Sequence, residues 1–324
     1  MIISKTPFRI SFLGGGTDLP AYFRRREGAV LSTTVNKYMY VAVNDRFEDT
    51  VRVAYTRTEI VEDLSQLRHD LVREALRTVD IDRGVEVVTI ADVPAGTGLG
   101  SSSSLTVGLL LALHAHRGCF VSAQRLADQA CAIEIDRLGH PIGKQDQYAA
   151  AFGGLNFIRF LSDGAVLVEP LACPPEVRAR LFDTLLLFYT GIRRPTHTIL
   201  AEQSRQTPRR HGTLDRLARL AAAGRQALAR GDLEDFGGLL HQGWELKRTL
   251  ASGISRPEFD CWYQAARRAG AWGGKILGAG GGGFLLLCCP EARKAAVRDA
   301  LSQYGLREFQ VGYEPQGARI IYQD

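Results

Sequence analysis

A two-part α+β fold is predicted by three features of the chain. Strand-like segments gather toward the N-terminus, a glycine-serine loop opens a wholly apolar helix, and the second half is dominated by helical spacing. At 324 residues, with 45% hydrophobic and 23% charged residues, the composition is that of a globular protein with room for two medium domains.

The elements follow in order. Ile2 to Phe12 reads as a strand that breaks at Gly14-Gly15-Gly16-Thr17-Asp18, and the β-branched and aromatic runs Val30 to Asn44 and Val51 to Tyr55 extend the sheet. Leu67 to Val79 has helical spacing, Val85 to Ala91 is a buried-looking strand, and Asp92-Val93-Pro94 turns the chain into Gly96-Thr97-Gly98-Leu99-Gly100-Ser101-Ser102-Ser103-Ser104. From Leu105 to Leu113 nearly every residue is apolar, which predicts a helix covered on all sides with the serines at N-cap positions. A helix over Ser122 to Leu138 ends at Gly139-His140-Pro141, and strands follow at Leu155 to Phe160, Ala165 to Leu171 and Leu185 to Tyr189. Thr196 to Ser204, Leu214 to Arg230, Leu233 to Leu250 and Pro257 to Ala269 read as helices. A glycine run then leads into the strand Phe284 to Cys289, and one helix and two strands complete the chain. Cys173-Pro174-Pro175 punctuates the pattern and places a domain boundary between Leu171 and Asp183.

The net charge of +5 favours anionic small-molecule partners and is too weak and dispersed for nucleic acid. Of the 40 basic residues 34 are arginine, a skew that coding bias explains as well as phosphate recognition does. The six cysteines show no C-x-x-C spacing and read as buried free thiols. No segment approaches the roughly 18 uninterrupted apolar residues of a membrane span, and with no leader pattern the expectation is a cytoplasmic protein.

Five places could carry chemistry. The loop from Pro94 to Ser103 follows a strand and opens a buried helix, where unpaired N–H groups and the helix dipole favour an anion. It has no lysine, unlike a P-loop, so the charge that would balance a nucleotide must come from elsewhere. Projected at about 100° per residue, Glu134 falls in the middle of the apolar arc formed by Leu126, Ala127, Ala130, Cys131 and Leu138. A carboxylate there needs a cation, either an arginine or a metal, and the adjacent serines favour Mg²⁺ held by one hydroxyl and one carboxylate. Asp146, in Gly143-Lys144-Gln145-Asp146-Gln147-Tyr148, fits equally a helix N-cap or a base acting on an attacking hydroxyl. The turn Gly14 to Asp18 fits a tight turn or a polyol-binding Asp, and the run Gly280 to Gly283 calls for close backbone approach to a ligand or loop.

Taken together, Pro7-Phe8-Arg9-Ile10 through Asp18, Pro94 through Ser103, and Lys275 through Gly283 resemble the three motifs of the GHMP small-molecule kinases, with Glu134 and Asp146 between the second and third. Phe8 to Pro20, Gln145 to Gly154 and Tyr189 to Arg194 look most like the D-glycero-D-manno-heptose 7-phosphate kinases of that superfamily.

The resemblance implies a two-domain α+β architecture. Residues 1–175 would be an ATP-binding domain like domain 2 of ribosomal protein S5, and residues 176–324 a ferredoxin-like C-terminal domain. It implies that Pro94, Gly96, Thr97, Gly98, Leu99, Gly100, Ser101, Ser102 and Ser103 wrap ATP, that Ser102 and Glu134 hold Mg²⁺, and that Asp146 acts on the acceptor hydroxyl with Arg9 beside it. Gly15, Gly16, Thr17 and Asp18, with Gly280, Gly281 and Gly282, would meet the sugar. Lys37, Arg193 and Arg194 are the candidates for a phosphate already on it. Ser103 departs from the alanine common in relatives and leaves two hydroxyls competing for the metal. The implied reaction is phosphorylation of the anomeric hydroxyl of a heptose 7-phosphate. The alternatives are a fucose- or galactose-type kinase and a non-catalytic binding regulator, and a homodimer is compatible with each.

Overall fold

The computed structural model describes residues 1–192 and 196–324 of the chain. Its first half contains β1 (Ile2–Leu13), α1 (Pro20–Phe23), β2 (Gly28–Asp45), β3 (Val51–Ala54), β4 (Thr58–Val61), α2 (Asp70–Thr78), β5 (Val85–Ala91), α3 (Ser101–His116), α4 (Ala123–Cys131), α5 (Gln145–Phe152), β6 (Leu155–Phe160) and β7 (Val166–Pro170). Its second half contains α6 (Pro175–Thr184), β8 (Leu185–Tyr189), α7 (Thr196–Gln206), α8 (His211–Arg230), α9 (Leu233–Lys247), α10 (Pro257–Arg268), β9 (Gly273–Ile276), β10 (Phe284–Cys288), α11 (Glu291–Ser302), β11 (Arg307–Glu308) and β12 (Arg319–Gln323).

Two sheets organise these elements. The first has eight strands in the order β12-β1-β2-β5-β3-β4, with β6 also paired to β2 and β7 to β6. The 18-residue β2 pairs with β1 along one edge and with two strands along the other, β6 along Gly28 to Thr33 and β5 along Met39 to Asp45. Only the β3–β5 pairing is parallel within it. The second sheet is antiparallel in the order β11-β8-β10-β9. The last strand returns to the first sheet and pairs with β1, the strand that opens the chain.

Helix α3 packs on β1 and β2, which explains its apolar sequence: every residue from Ser103 to Leu110 is buried. Helix α8 lies on β1 and β2 of the first sheet, and α9 bridges the two sheets through β9 and β1. Glycines permit that approach, since a Cβ at Gly224 of α8 would lie 2.4 Å from a Leu13 methyl and one at Gly243 of α9 would lie 3.0 Å from the other. The C-terminal end of β1 is therefore clamped by helices from the second half, which fixes the glycine turn that follows it.

Three expectations change. The serines do not cap α3; its N-cap is Gly100, left-handed at φ +76°, and the serines form the first turn with their hydroxyls free to point elsewhere. The helix predicted to Leu138 becomes a π-helical turn at Ala132–Arg137, a deformation that recurs at functional sites. The thiols are free, but Cys119 and Cys261 are exposed. No helix among the described residues is long and apolar enough to cross a membrane.

Candidate active site

The site is assembled where the glycine motifs meet. Arg9, on the buried part of β1, places two parallel hydrogen bonds of 2.7 Å from Nε and Nη2 on the two carboxylate oxygens of Asp146. Its third donor, Nη1, reaches the Gly98 carbonyl at 2.6 Å, and its backbone N–H donates to the Leu99 carbonyl at 3.0 Å. A bidentate fork of this kind fixes the carboxylate in plane. Asp146 is the second residue of α5, whose N-cap is Lys144, so the cap reading of Asp146 is excluded. Its side chain remains 24% exposed, enough for an acceptor to reach.

Glu134 is fully buried on the π-helical turn. Its carboxylate accepts a hydrogen bond of 2.5 Å from the Ser102 hydroxyl and one of 2.7 Å from the Gln147 amide. No arginine or lysine pairs with it among the described residues, which removes the internal ion pair that the sequence left open. Burial pushes its pKa up to about 7 against the pull of Ser102, Ser103 and Gln147, with the Asp146 charge adding to the rise. A dehydrated carboxylate beside a hydroxyl, at the mouth of a phosphate-type loop, is the donor set a magnesium ion takes, with phosphate oxygens and water completing the shell. Both Ser102 and Ser103 bear on Glu134, Ser102 through the 2.5 Å hydrogen bond from an exposed residue and Ser103 from a buried one. No cluster of three or more His, Cys, Asp or Glu suited to a metal occurs among the described residues, so a cage built by the protein alone is not in view.

The loop around these groups is held by the third motif. A Cβ at Gly98 would lie 2.7 Å from the Leu277 carbonyl, one at Gly278 would lie 2.6 Å from the Gly98 Cα, and one at Gly283 would lie 2.2 Å from the Thr97 carbonyl. Backbone thus packs on backbone between residues 97–98 and 277–283. Pro94 and Gly96 are exposed at the loop tip, the Thr97 hydroxyl donates to the Pro94 carbonyl at 3.0 Å, and Leu99 and Ser101 are buried. Of the remaining glycines, Gly280 packs on Ile254, Gly281 donates to the Ile254 carbonyl and Gly282 packs on Ile192, so this part of the run braces the second domain.

At the first motif, Asp18 accepts from the Gly16 N–H at 2.8 Å and the Gln145 amide at 2.9 Å. Burial raises its pKa. The Thr17 hydroxyl is committed to the turn, donating to the Gly14 and Ala29 carbonyls at 2.8 and 3.0 Å. The Lys37 ammonium lies over the Phe309 ring at 5.0 Å. Arg193 and Arg194 lie outside the described residues.

Two residues that the sequence did not single out belong to this neighbourhood. Lys247, the last residue of α9, is 5% exposed, and its ammonium would stand 3.4 Å from a Cβ on Gly15. Gln203 of α7 is buried with both amide atoms lacking a hydrogen-bond partner, and its nitrogen would lie 2.3 Å from a Cβ on Gly16. Neither had a signal in the sequence, because a lysine ending a helix reads as a dipole complement and a glutamine in a helix reads as surface.

A carboxylate gripped by arginine, a second carboxylate without a cation, and a glycine loop at a helix N-terminus define a phosphotransfer site with a hydroxyl acceptor. The GHMP kinase N-terminal domain model matches residues 67–154 and the C-terminal model residues 225–306. The chain belongs to the GHMP kinases, phosphotransferases that act on a hydroxyl group.

Among its relatives is the D-glycero-alpha-D-manno-heptose 7-phosphate kinase of Campylobacter jejuni, 30% identical over 294 residues and covering 86% of each chain. The galactokinase of Pyrococcus furiosus is 26% identical over 346 residues, covering 95% of this chain and 94% of that one. The crystal structure of a D-glycero-D-manno-heptose 1-phosphate kinase from Bacteroides thetaiotaomicron superposes with a TM-score of 0.83 at 27% identity over the whole of both chains.

Proposed function

We propose that the protein transfers the γ-phosphoryl of ATP to the anomeric hydroxyl of D-glycero-D-manno-heptose 7-phosphate, yielding the 1,7-bisphosphate and ADP. The Arg9–Asp146 fork at the base of the glycine loop carries the mechanistic reading, and the likeness to the Campylobacter enzyme supports the sugar. Asp146 takes the proton of the attacking hydroxyl as its oxygen bonds to phosphorus and the bond from phosphorus to the β–γ bridging oxygen breaks. Arg9 holds Asp146 correctly turned through two hydrogen bonds, and through Gly98 ties it to the loop that receives the phosphates.

Ser102 and Glu134 would hold Mg²⁺, which supplies positive charge against the phosphate oxygens. Asp18, positioned by Gly16 and Gln145, faces the acceptor as a hydroxyl-binding carboxylate.

An ADP-release assay across heptose 7-phosphate, mannose, fucose and galactose tests this. Turnover confined to the heptose phosphate is expected. Turnover confined to an unphosphorylated sugar would assign the chain to the fucose- or galactose-type kinases instead, and phosphoryl transfer to none of the four would favour the binding regulator.

A further inference from the structure

The glycine loop lacks the lysine that a P-loop sets against its phosphates. A candidate replacement stands in three dimensions beside it, on a helix of the second half. Lys247 is almost wholly buried, and its one hydrogen bond among the described residues runs to the Gly278 carbonyl at 2.9 Å. Gly278 is the residue packed on Gly98 of the phosphate loop, and the ammonium's other side faces Gly15 of the first motif. The cation therefore stands where all three motifs converge.

An ammonium has three donors, and one is used here. The two nearby carboxylates do not take the others: both Asp146 oxygens are engaged by Arg9, and Asp18 is engaged by Gly16 and Gln145. A dehydrated cation with spare donors is costly unless an anion completes it. The groups that bear on it are Asp18 and Asp146, which favour its charge, and Arg9 and Lys275, which oppose it. Burial is the largest influence and brings its pKa down to about 8.

We propose that Lys247 contacts the phosphoryl group in transit to the acceptor, performing from the end of α9 the task that a lysine inside the loop performs in a P-loop. This rests on the phosphotransfer reading of the site and not on which sugar is the acceptor. The displacement is the one written above: oxygen bonds to phosphorus, the bond to the β–γ bridging oxygen breaks, and the proton goes to Asp146. Lys247 forms no covalent bond and gives up no proton. It neutralises charge on the equatorial oxygens, where such contacts strengthen in the transition state.

The test compares wild type, Lys247→Met and Lys247→Arg with whichever sugar of the panel wild type phosphorylates. Should it phosphorylate none, the rate of ATP hydrolysis to water is compared, so failure of the sugar assignment leaves this test intact. Lys247→Met is expected to lower kcat and kcat/KM together, by about 100- to 1,000-fold, with the KM for ATP near wild type. Lys247→Arg is expected to recover part of the loss. It should also remove the fall in kcat/KM expected of wild type above about pH 8, since arginine stays charged there. A kcat for Lys247→Met within about threefold of wild type would overturn the proposal. So would the same alkaline fall in Lys247→Arg, which carries the test alone should Lys247→Met not fold.

Discussion

Arg9 and Asp146 face each other across the site through two parallel 2.7 Å hydrogen bonds, and the same guanidinium holds the Gly98 carbonyl at 2.6 Å. One side chain thus ties the carboxylate proposed to take the acceptor proton to the loop proposed to receive the phosphates. The 137 residues that separate the pair in sequence are irrelevant to the geometry, because β1 and α5 pack together. A lysine at position 9 could neutralise Asp146 but could not grip both oxygens and the loop at once.

Asp146→Asn is expected to cut kcat by about 100- to 10,000-fold, the usual range for removing a positioned base. Arg9→Lys should lose about 10- to 100-fold, the cost of misplacing a group that must lie within hydrogen-bond reach. Steady-state kinetics at saturating ATP checks both, and an Asp146→Asn enzyme as fast as wild type would remove Asp146 from the mechanism.

Glu134 makes the opposite demand on its surroundings. Its carboxylate is fully buried with only neutral hydrogen-bond partners, and its pKa is pushed up to about 7 by burial, so the ionised form destabilises the metal-free protein. Glu134→Gln keeps the shape and the contacts to Ser102 while removing that charge. The expected result is a metal-free melting temperature at pH 8 equal to or above wild type, together with a Mg²⁺ requirement raised about tenfold or more. A lower melting temperature with an unchanged Mg²⁺ requirement would show a structural carboxylate.

Much of this was legible in the sequence, for physical reasons that differ by residue. A carboxylate in an apolar stripe announced Glu134, and the run Gly280 to Gly283 announced close backbone approach to another loop, which Gly283 makes to Thr97, because both features are costly without a purpose. Long-range pairing was not legible. Nothing in Arg319 to Gln323 says that it returns to β1. Lys247 and Gln203 were missed because only the tertiary fold buries them. The serines were misplaced as caps because Gly100 takes the N-cap position in a left-handed conformation, and Ser102, in the first turn, meets Glu134 instead.

The loop glycines differ in what they tolerate. Gly96 and Gly98 both have positive φ, +77° and +85°, so alanine at either strains the backbone by about 1–2 kcal/mol. At Gly96 an added Cβ meets open space, whereas at Gly98 it lies 2.7 Å from the Leu277 carbonyl, a backbone atom held by β9 and the third motif. Gly98→Ala should therefore lower the melting temperature more than Gly96→Ala and raise the KM for ATP by a larger factor. Equal effects in thermal denaturation and ATP titration would mean that the third motif does not brace the loop.

Lys247 also leaves a signature in stability that needs no substrate. In the unfolded chain its ammonium keeps its proton to about 10.4, whereas burial in the folded protein lowers that to about 8. Between these values the unfolded state binds more protons, so stability contributed by this group rises as pH rises through the window and is least below about 8. Lys247→Met has no proton to lose. Urea denaturation near pH 7, 8.5 and 9.5 should find the variant's stability relative to wild type highest at the lowest pH and declining at each step. Parallel pH dependences for the two proteins would mean that Lys247 titrates as it does in water, and that the ammonium is not dehydrated at the meeting point of the three motifs.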